Sequence, residues 1–215
     1  MNDVLLGRSN ADLNAIKTQY KKLYGRTVEA DVKGDLSAKT ERLFDMVMSA
    51  RRAEESSPVI PQQIDADVNE LYRATEGQTG ADAISVSQIM SSKSDAQLRA
   101  IALAYHQKYN RTLEQVLKKE FSGHMEDAFL YMLHKAEDPA KHDADQLEAC
   151  MKGAGTKDEA LVRRIVAVHW EPDRLRQCKA AYKHFYKRDL MQAIRSETSG
   201  DYEKLMLECI SERRR

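Results

Sequence analysis

A chain of 215 residues, 42% hydrophobic and 32% charged, holds enough of both kinds to bury a core and stay in solution, so disorder is excluded as the default. Its 34 basic residues balance 34 acidic ones, which excludes attraction to nucleic acid or to an anionic membrane by net charge alone. Cys150, Cys178 and Cys209 lack the CxxC spacing of zinc or redox sites and read as free thiols filling a core in a reducing compartment.

The opening MNDVLLGRSN has no basic segment leading into a long apolar one. No apolar run reaches the ~18 residues of a membrane span, which predicts a cytosolic chain. Apolar positions recur at three- and four-residue intervals, as in Leu98, Ile101, Ala102, Tyr105 and Tyr109, the stripe of an amphipathic helix. Nine glycines and four prolines fall mostly where such helices would stop, and the fold class predicted is all-α.

In chain order, residues 1–9 supply only the end of a helix before the segment that carries Tyr20 and Tyr24. A polar linker is expected over 52–62. Helices are expected near 63–75, 81–92, 95–109, 111–119 and 122–137, then near 143–152, 157–169, 172–187, 189–196 and 199–212, with a second linker at 138–143. Ser94 and Ser199 are candidate N-caps, and Gln97 would complete a capping box with Ser94. Asp65-Ala66-Asp67 and Asp143-Ala144-Asp145 resemble the start of an EF-hand loop but lack its later glycine and glutamate, so they read as N-caps with first-turn acids.

A 37-residue pattern occurs three times without a gap, at 12–48, 97–133 and 174–210. Its columns include Leu13/Leu98/Leu175, Tyr20/Tyr105/Tyr182, Tyr24/Tyr109/Tyr186, Arg26/Arg111/Arg188 and Ser37/Ser122/Ser199, and each copy carries an acid, Asp35, Glu120 or Glu197. The repeating unit is about 80 residues, far longer than a tetratricopeptide or ankyrin repeat, and must hold several helices. Paired tyrosines four residues apart share one helical face and read as packing residues. The expected domains are an incomplete repeat at 1–58, a degenerate one at 59–138 and a complete one at 139–215, which ends in the basic Arg213-Arg214-Arg215 tail.

In the third unit Met151-Lys152-Gly153-Ala154-Gly155-Thr156-Lys157-Asp158 stands between two helices, and Glu197-Thr198-Ser199-Gly200 follows about forty residues later. On these residues the chain resembles the annexin family, whose repeats have five helices, a KGxGT loop between the first two, and an acid before a (T/S)G pair. The resemblance covers essentially the whole chain, as the C-terminal part of an annexin core whose first repeat is incomplete. The stretch His169-Trp170-Glu171-Pro172 suggests a divergent fungal or protist branch. The annexin resemblance implies a superhelical arrangement of repeats and calcium-dependent binding to anionic phospholipid.

The chemistry of the residues agrees with that implication. Calcium takes about six to eight oxygens from carbonyls, carboxylates and water. Glycines let a loop turn its carbonyls toward one point, because positive φ costs them little. The carbonyls of Met151, Gly153 and Gly155 with the Glu197 carboxylate make the expected site, leaving outer positions for water or a lipid phosphate. In gapless register Glu76 and Gln78 stand at the middle unit's glycine positions, so Glu120 is the weaker metal candidate. Asp35 has no partner loop within the chain and is not expected to bind.

A phosphate loop is excluded by its missing G-x4-G-K-[ST] spacing, and a zinc or histidine site by the absence of HxxxH and HExxH pairs. No nucleophile, base and orienting acid can be picked out by spacing, so no enzyme is expected. Two further expectations concern partners. An incomplete first repeat would leave apolar surface that drives self-association, and a calcium-independent helical interaction module is the rival function.

Overall fold

The computed structural model describes residues 1–33, 36–153 and 155–211, and every regular element among them is a helix. The chain divides into two compact units, Met1–Glu137 and Asp138–Arg215. The first contains α1 (Asn2–Leu5), α2 (Asn10–Tyr24), α3 (Val28–Val32), α4 (Ala38–Met48), α5 (Pro61–Ala74), α6 (Ala83–Ser92), α7 (Asp95–Tyr109), α8 (Leu113–Glu120) and α9 (Gly123–Glu137). The second contains α10 (Pro139–Met151), α11 (Asp158–His169), α12 (Pro172–Tyr186), α13 (Leu190–Glu197) and α14 (Gly200–Ile210).

Two repeats share the first unit's core, in which Leu43, Phe44 and Met48 of α4 are buried with Val86 and Met90 of α6 and Phe129 and Leu133 of α9. Leu5 and Leu6 pack into the same core, and Met1 and Val4 face outward. The second unit closes a separate core on Leu147, Leu161, Ile165, Cys178, Tyr182, Ile194, Met206 and Ile210. Cys150 and Cys178 lie in that core as free thiols, and burial pushes the Cys178 thiol up to about 12.

Local signals set the helix boundaries. Ser94 accepts from the Gln97 amide at 3.2 Å while the Gln97 side chain accepts from the Ser94 amide at 3.2 Å, a complete capping box. Thr112 and Gln115 form a second at the start of α8. Ser199 occupies the N-cap position of α14 without a side-chain capping bond, so its expected role is met in place and not in chemistry. The 52–62 segment is pinned rather than loose. The Arg52 guanidinium reaches Asp95 at 2.7 Å and the Lys93 carbonyl at 3.1 Å, and Asn10 brackets the Arg52 backbone at 2.9 and 3.1 Å.

Three expectations are corrected. The 138–143 stretch is not a linker, because Asp138 caps the Lys141 amide at 3.0 Å and Pro139, at the first helical position, starts α10 at once. Asp143 and Asp145 therefore lie inside α10, not at its cap. Asp143 is buried and forked onto Arg174 at 2.6 and 2.8 Å. Asp65 and Asp67 likewise sit inside α5, whose N-cap is Ile60, and pair with Lys108 and Lys93 on α7 and just before it.

The repeated tyrosine and arginine columns do more than pack. In each repeat the first tyrosine's hydroxyl and the arginine converge on one carboxylate, supplied each time from a different element. Asp31 of α3 serves Tyr20 and Arg26, Glu76 after α5 serves Tyr105 at 3.1 Å and Arg111 at 2.6 Å, and Glu148 of α10 serves Tyr182 and Arg188. Burial raises the Glu148 carboxyl, but the Tyr182 and Arg188 hydrogen bonds outweigh it and hold it below the ordinary range. Burial pushes both Tyr105 and Tyr182 above the usual phenol range, aided by the adjoining carboxylates.

Burial also fixes the register of the last two repeats: Val68, Leu71 and Ala74 of α5 play the parts of Ala144, Leu147 and Cys150 of α10. Tyr109 donates to Asn69 as Tyr186 donates to Asp145, in the same register. Tyr72 then stands at the place of Glu148, and Glu76 one turn later at the place of Lys152. The middle repeat has moved its carboxylate one turn toward the loop, and Tyr72 uses the vacated position to stack on Tyr109 at 4.2 Å.

Two stability outcomes are expected in urea unfolding. Asp143→Ala removes the buried partner of Arg174 and leaves it only the exposed Glu171 at 3.1 Å, which should cost about 3 kcal/mol, and a loss under about 1 kcal/mol would contradict the pairing. Glu76→Lys should cost about 1–3 kcal/mol by leaving the Tyr105 hydroxyl and Arg111 without their acceptor. Adding Tyr72→Glu, which rebuilds the third repeat's arrangement, should recover part of that loss; a double variant weaker than the single one would show the register to be wrong.

Candidate functional site

The loop between α10 and α11 begins at Met151, whose side chain is buried, and the Lys157 amide donates back to the Cys150 carbonyl at 2.9 Å to close it. Gly153 and Gly155 hold φ of +112° and +88°. A side chain there would be strained by the backbone alone, since a Cβ built on either glycine meets nothing within 4 Å. The loop is thus bent outward into open space. No backbone N–H among the described residues donates to the carbonyl of Gly153 or Gly155. Ala154 between them lies outside the described residues.

Glu197 ends α13 and arrives beside this loop. The Thr156 hydroxyl lies 3.1 Å from the Glu197 carbonyl and 3.2 Å from its carboxylate, so it fastens the acid to the residue that follows Gly155. Glycine bend and carboxylate, 42 residues apart at Gly155 and Glu197, therefore meet at one end of the unit. Among the described residues no three His, Cys, Asp or Glu side chains could together hold a metal. A cation site here would have to be dominated by backbone carbonyls, which suits a hard, oxygen-seeking ion.

The middle loop has another shape. In the register set by burial, Gly77 replaces Gly153 and Gly80, with φ of +81°, replaces Gly155, with one residue more between them. The gapless reading that put Glu76 and Gln78 at those positions is corrected accordingly. Gly77 folds back on α5, its amide donating to the Tyr72 carbonyl at 2.8 Å, and a Cβ there would come within 2.9 Å of the Arg73 Cα. Glu76, its side chain 12% exposed, is drawn inward by Tyr105 and Arg111. Glu120 ends α8 with its carboxylate 3.0 Å from Lys119, and no hydrogen bond among the described residues joins it to the 75–81 loop. Asp35 and Arg213–Arg215 lie outside the described residues.

Thr156 is the site residue that sequence reasoning missed; its hydroxyl at the loop's end was the available signal. The tether on Glu76 was also hidden, because it depends on a register shift of one residue that only the buried pattern reveals.

Comparison with known proteins gives a matching family model, Annexin, over residues 1–46, 66–132 and 142–208. The chain is 38% identical over 216 residues to annexin C1 of Cryptococcus neoformans var. grubii serotype A, covering 99% of this chain and 46% of that protein. It is 35% identical over 205 residues to human (Homo sapiens) annexin A13, covering 95% of this chain and 64% of that one. The solved structure of annexin III superposes with a TM-score of 0.90 at 27% identity, over 97% of this chain and 64% of the other. The chain spans about half the length of the first relative and less than two thirds of the second. The family model matches three segments that together cover most of the sequence, and relatives and solved structures agree with it: the chain belongs to the annexin family.

Proposed function

We propose that this chain binds anionic phospholipid membranes through a calcium site in its third repeat, with the Met151, Gly153 and Gly155 carbonyls and the Glu197 carboxylate as ligands. Annexins in general are non-enzymatic proteins that bind phospholipid peripherally in a calcium-dependent way. No helix among the described residues is long and apolar enough to cross a membrane. The observation that carries the assignment to these residues is the Thr156 hydroxyl, which holds Glu197 against an outward-bent glycine loop.

The division of labour follows from the geometry. The two glycines hold the backbone in conformations that point it away from the core, Thr156 keeps the carboxylate from swinging into solvent, and the buried Met151 side chain anchors the loop. Calcium, when bound, supplies the positive charge that a neutral chain lacks and leaves coordination positions for a lipid phosphate. A half-open oxygen shell of this kind is weak on its own, on the order of 10⁻⁴ M or weaker, and tightens when phosphate completes it.

A second reading has one observation in its favour. Glu76 is held by Tyr105 and Arg111, so the carboxylate at the edge of the middle loop is already engaged, and the loop bend joined to a carboxylate by a hydrogen bond among the described residues is that of the third repeat. Adhesion by several weak sites loses most of its avidity when only one is left. On that reading the chain is a calcium-independent helical interaction module.

Sedimentation with phosphatidylserine vesicles separates the two. Pelleting is expected in calcium and not in chelator; Glu197→Ala should abolish it and Glu120→Ala should leave it unchanged. Thr156→Val, which frees the carboxylate without removing it, should raise the calcium needed for half-maximal pelleting about tenfold. Equal pelleting in calcium, in chelator and with Glu197→Ala would overturn the calcium reading and support the interaction module.

A further inference from the structure

A polar cleft of about 500 Å³ lies between α4 and α6, and every residue that lines it belongs to the first unit. That volume falls among those of small-molecule sites, about 300–1,000 Å³. The two helices pack on each other, and beside the buried contact each presents a polar stripe at helical spacing. Arg42, Asp45 and Ser49 form the stripe on and just past α4, and Gln88, Ser91 and Ser92 the one on α6. Arg51 adds a second guanidinium from the segment that follows α4.

The fold leaves the charges of this cleft unused. Among the described residues no hydrogen bond or ion pair engages the side chains of Arg42, Asp45 or Arg51. Yet Arg42 and Asp45 stand three residues apart on one helix, the spacing at which Arg52 closes on Glu55 at 3.1 Å, Arg73 on Glu70 at 2.8 Å and Arg174 on Glu171 at 3.1 Å. Nor are the two arginines spent on helix ends. The Met46 carbonyl accepts from the Ser49 hydroxyl at 2.6 Å, that of Val47 from the Ala50 amide at 3.1 Å, that of Met48 from Lys17 at 2.9 Å and that of Ser92 from the Ala53 amide at 2.7 Å. Ala50 holds φ of +52°, a left-handed turn that an alanine side chain disfavours. Beyond that turn Arg52 goes to Asp95, and Arg51 to the cleft.

We infer that this cleft binds a phosphate monoester on a hydroxylated carbon skeleton, the chemistry shared by a soluble sugar phosphate and a phosphoinositide headgroup. Guanidinium groups take phosphate oxygens two at a time and keep their charge at every physiological pH. The Ser49 hydroxyl gives its proton to the Met46 carbonyl and the Ser92 hydroxyl gives its own to that of Ile89 at 3.4 Å. Both oxygens, like the Asp45 carboxylate, are therefore acceptors for the ligand's hydroxyl groups. Two guanidinium groups against one carboxylate attract a dianion, while Asp45 favours one that carries hydroxyl donors over a bare anion. None of these residues belongs to the third repeat's loop, and the inference stands independently of the calcium reading.

Isothermal titration calorimetry of the full chain in chelator reads the outcome directly. Glucose 6-phosphate should bind saturably, one per chain, and glucose should not. Arg42→Ala and Arg51→Ala should each weaken that binding about tenfold with unchanged helical circular dichroism, and Arg42→Lys, which keeps the charge and loses the planar fork, should weaken it as well. Arg73→Ala, at an arginine paired with Glu70 on α5, should leave it unchanged. Sedimentation with phosphatidylcholine vesicles bearing phosphatidylinositol 4-phosphate, in the same chelator, separates the two sources. Pelleting that Arg42→Ala abolishes assigns the lipid headgroup, and no pelleting assigns the soluble sugar phosphate. No saturable binding of glucose 6-phosphate up to about 10 mM, or binding that Arg73→Ala weakens as much as Arg42→Ala, would overturn the site.

Discussion

Each repeat brings a carboxylate to its first tyrosine's hydroxyl, buried for Tyr105 and Tyr182 and half-buried for Tyr20, and to the arginine beside it, and the place from which that carboxylate comes shapes the neighbouring loop. A buried phenol without an acceptor costs about 1–3 kcal/mol, a penalty that Glu76 and Glu148 remove for Tyr105 and Tyr182. Glu148 meets it from inside α10 and leaves the 151–156 loop unattached to the tyrosine below it. Glu76 meets it from the loop's own edge, and Gly77 then folds back onto the helix end. The two loops thus differ, at their starts, by one helical turn in the position of one acid.

This constraint also explains why the glycines differ in kind. Gly153 has the positive φ and free surroundings of a loop that projects, whereas Gly77 is required by a close approach to Arg73. Both are glycines before a helix, and only the surroundings tell them apart. With no net charge on the chain, the carbonyl-rich loop and Glu197 form the feature that could couple it to an anionic surface, through a cation.

Much of this was legible in the residues. The helices, the Ser94 capping box and the three-fold recurrence follow from three- and four-residue periodicity and cap chemistry, which are local properties. The meeting of the 151–155 bend with Glu197 was expected from a family-like spacing, and the structure sets the acid against Thr156. What could not be read was anything dependent on register between repeats. Asp143 looks like a cap in a DxD run, yet Asp138 and Pro139 start the helix earlier and turn Asp143 into a buried partner of Arg174. The shift of Glu76 relative to Glu148 is likewise invisible until burial shows which apolar residues correspond.

The central proposal, that the third repeat's loop and Glu197 take calcium and the middle loop does not, is tested most directly by counting. Equilibrium dialysis with radioactive calcium, in saturating phosphatidylserine vesicles, gives the number of ions held per chain. One ion is predicted, with none in Glu197→Ala. Two or more ions, or a full ion retained by Glu197→Ala, would contradict it.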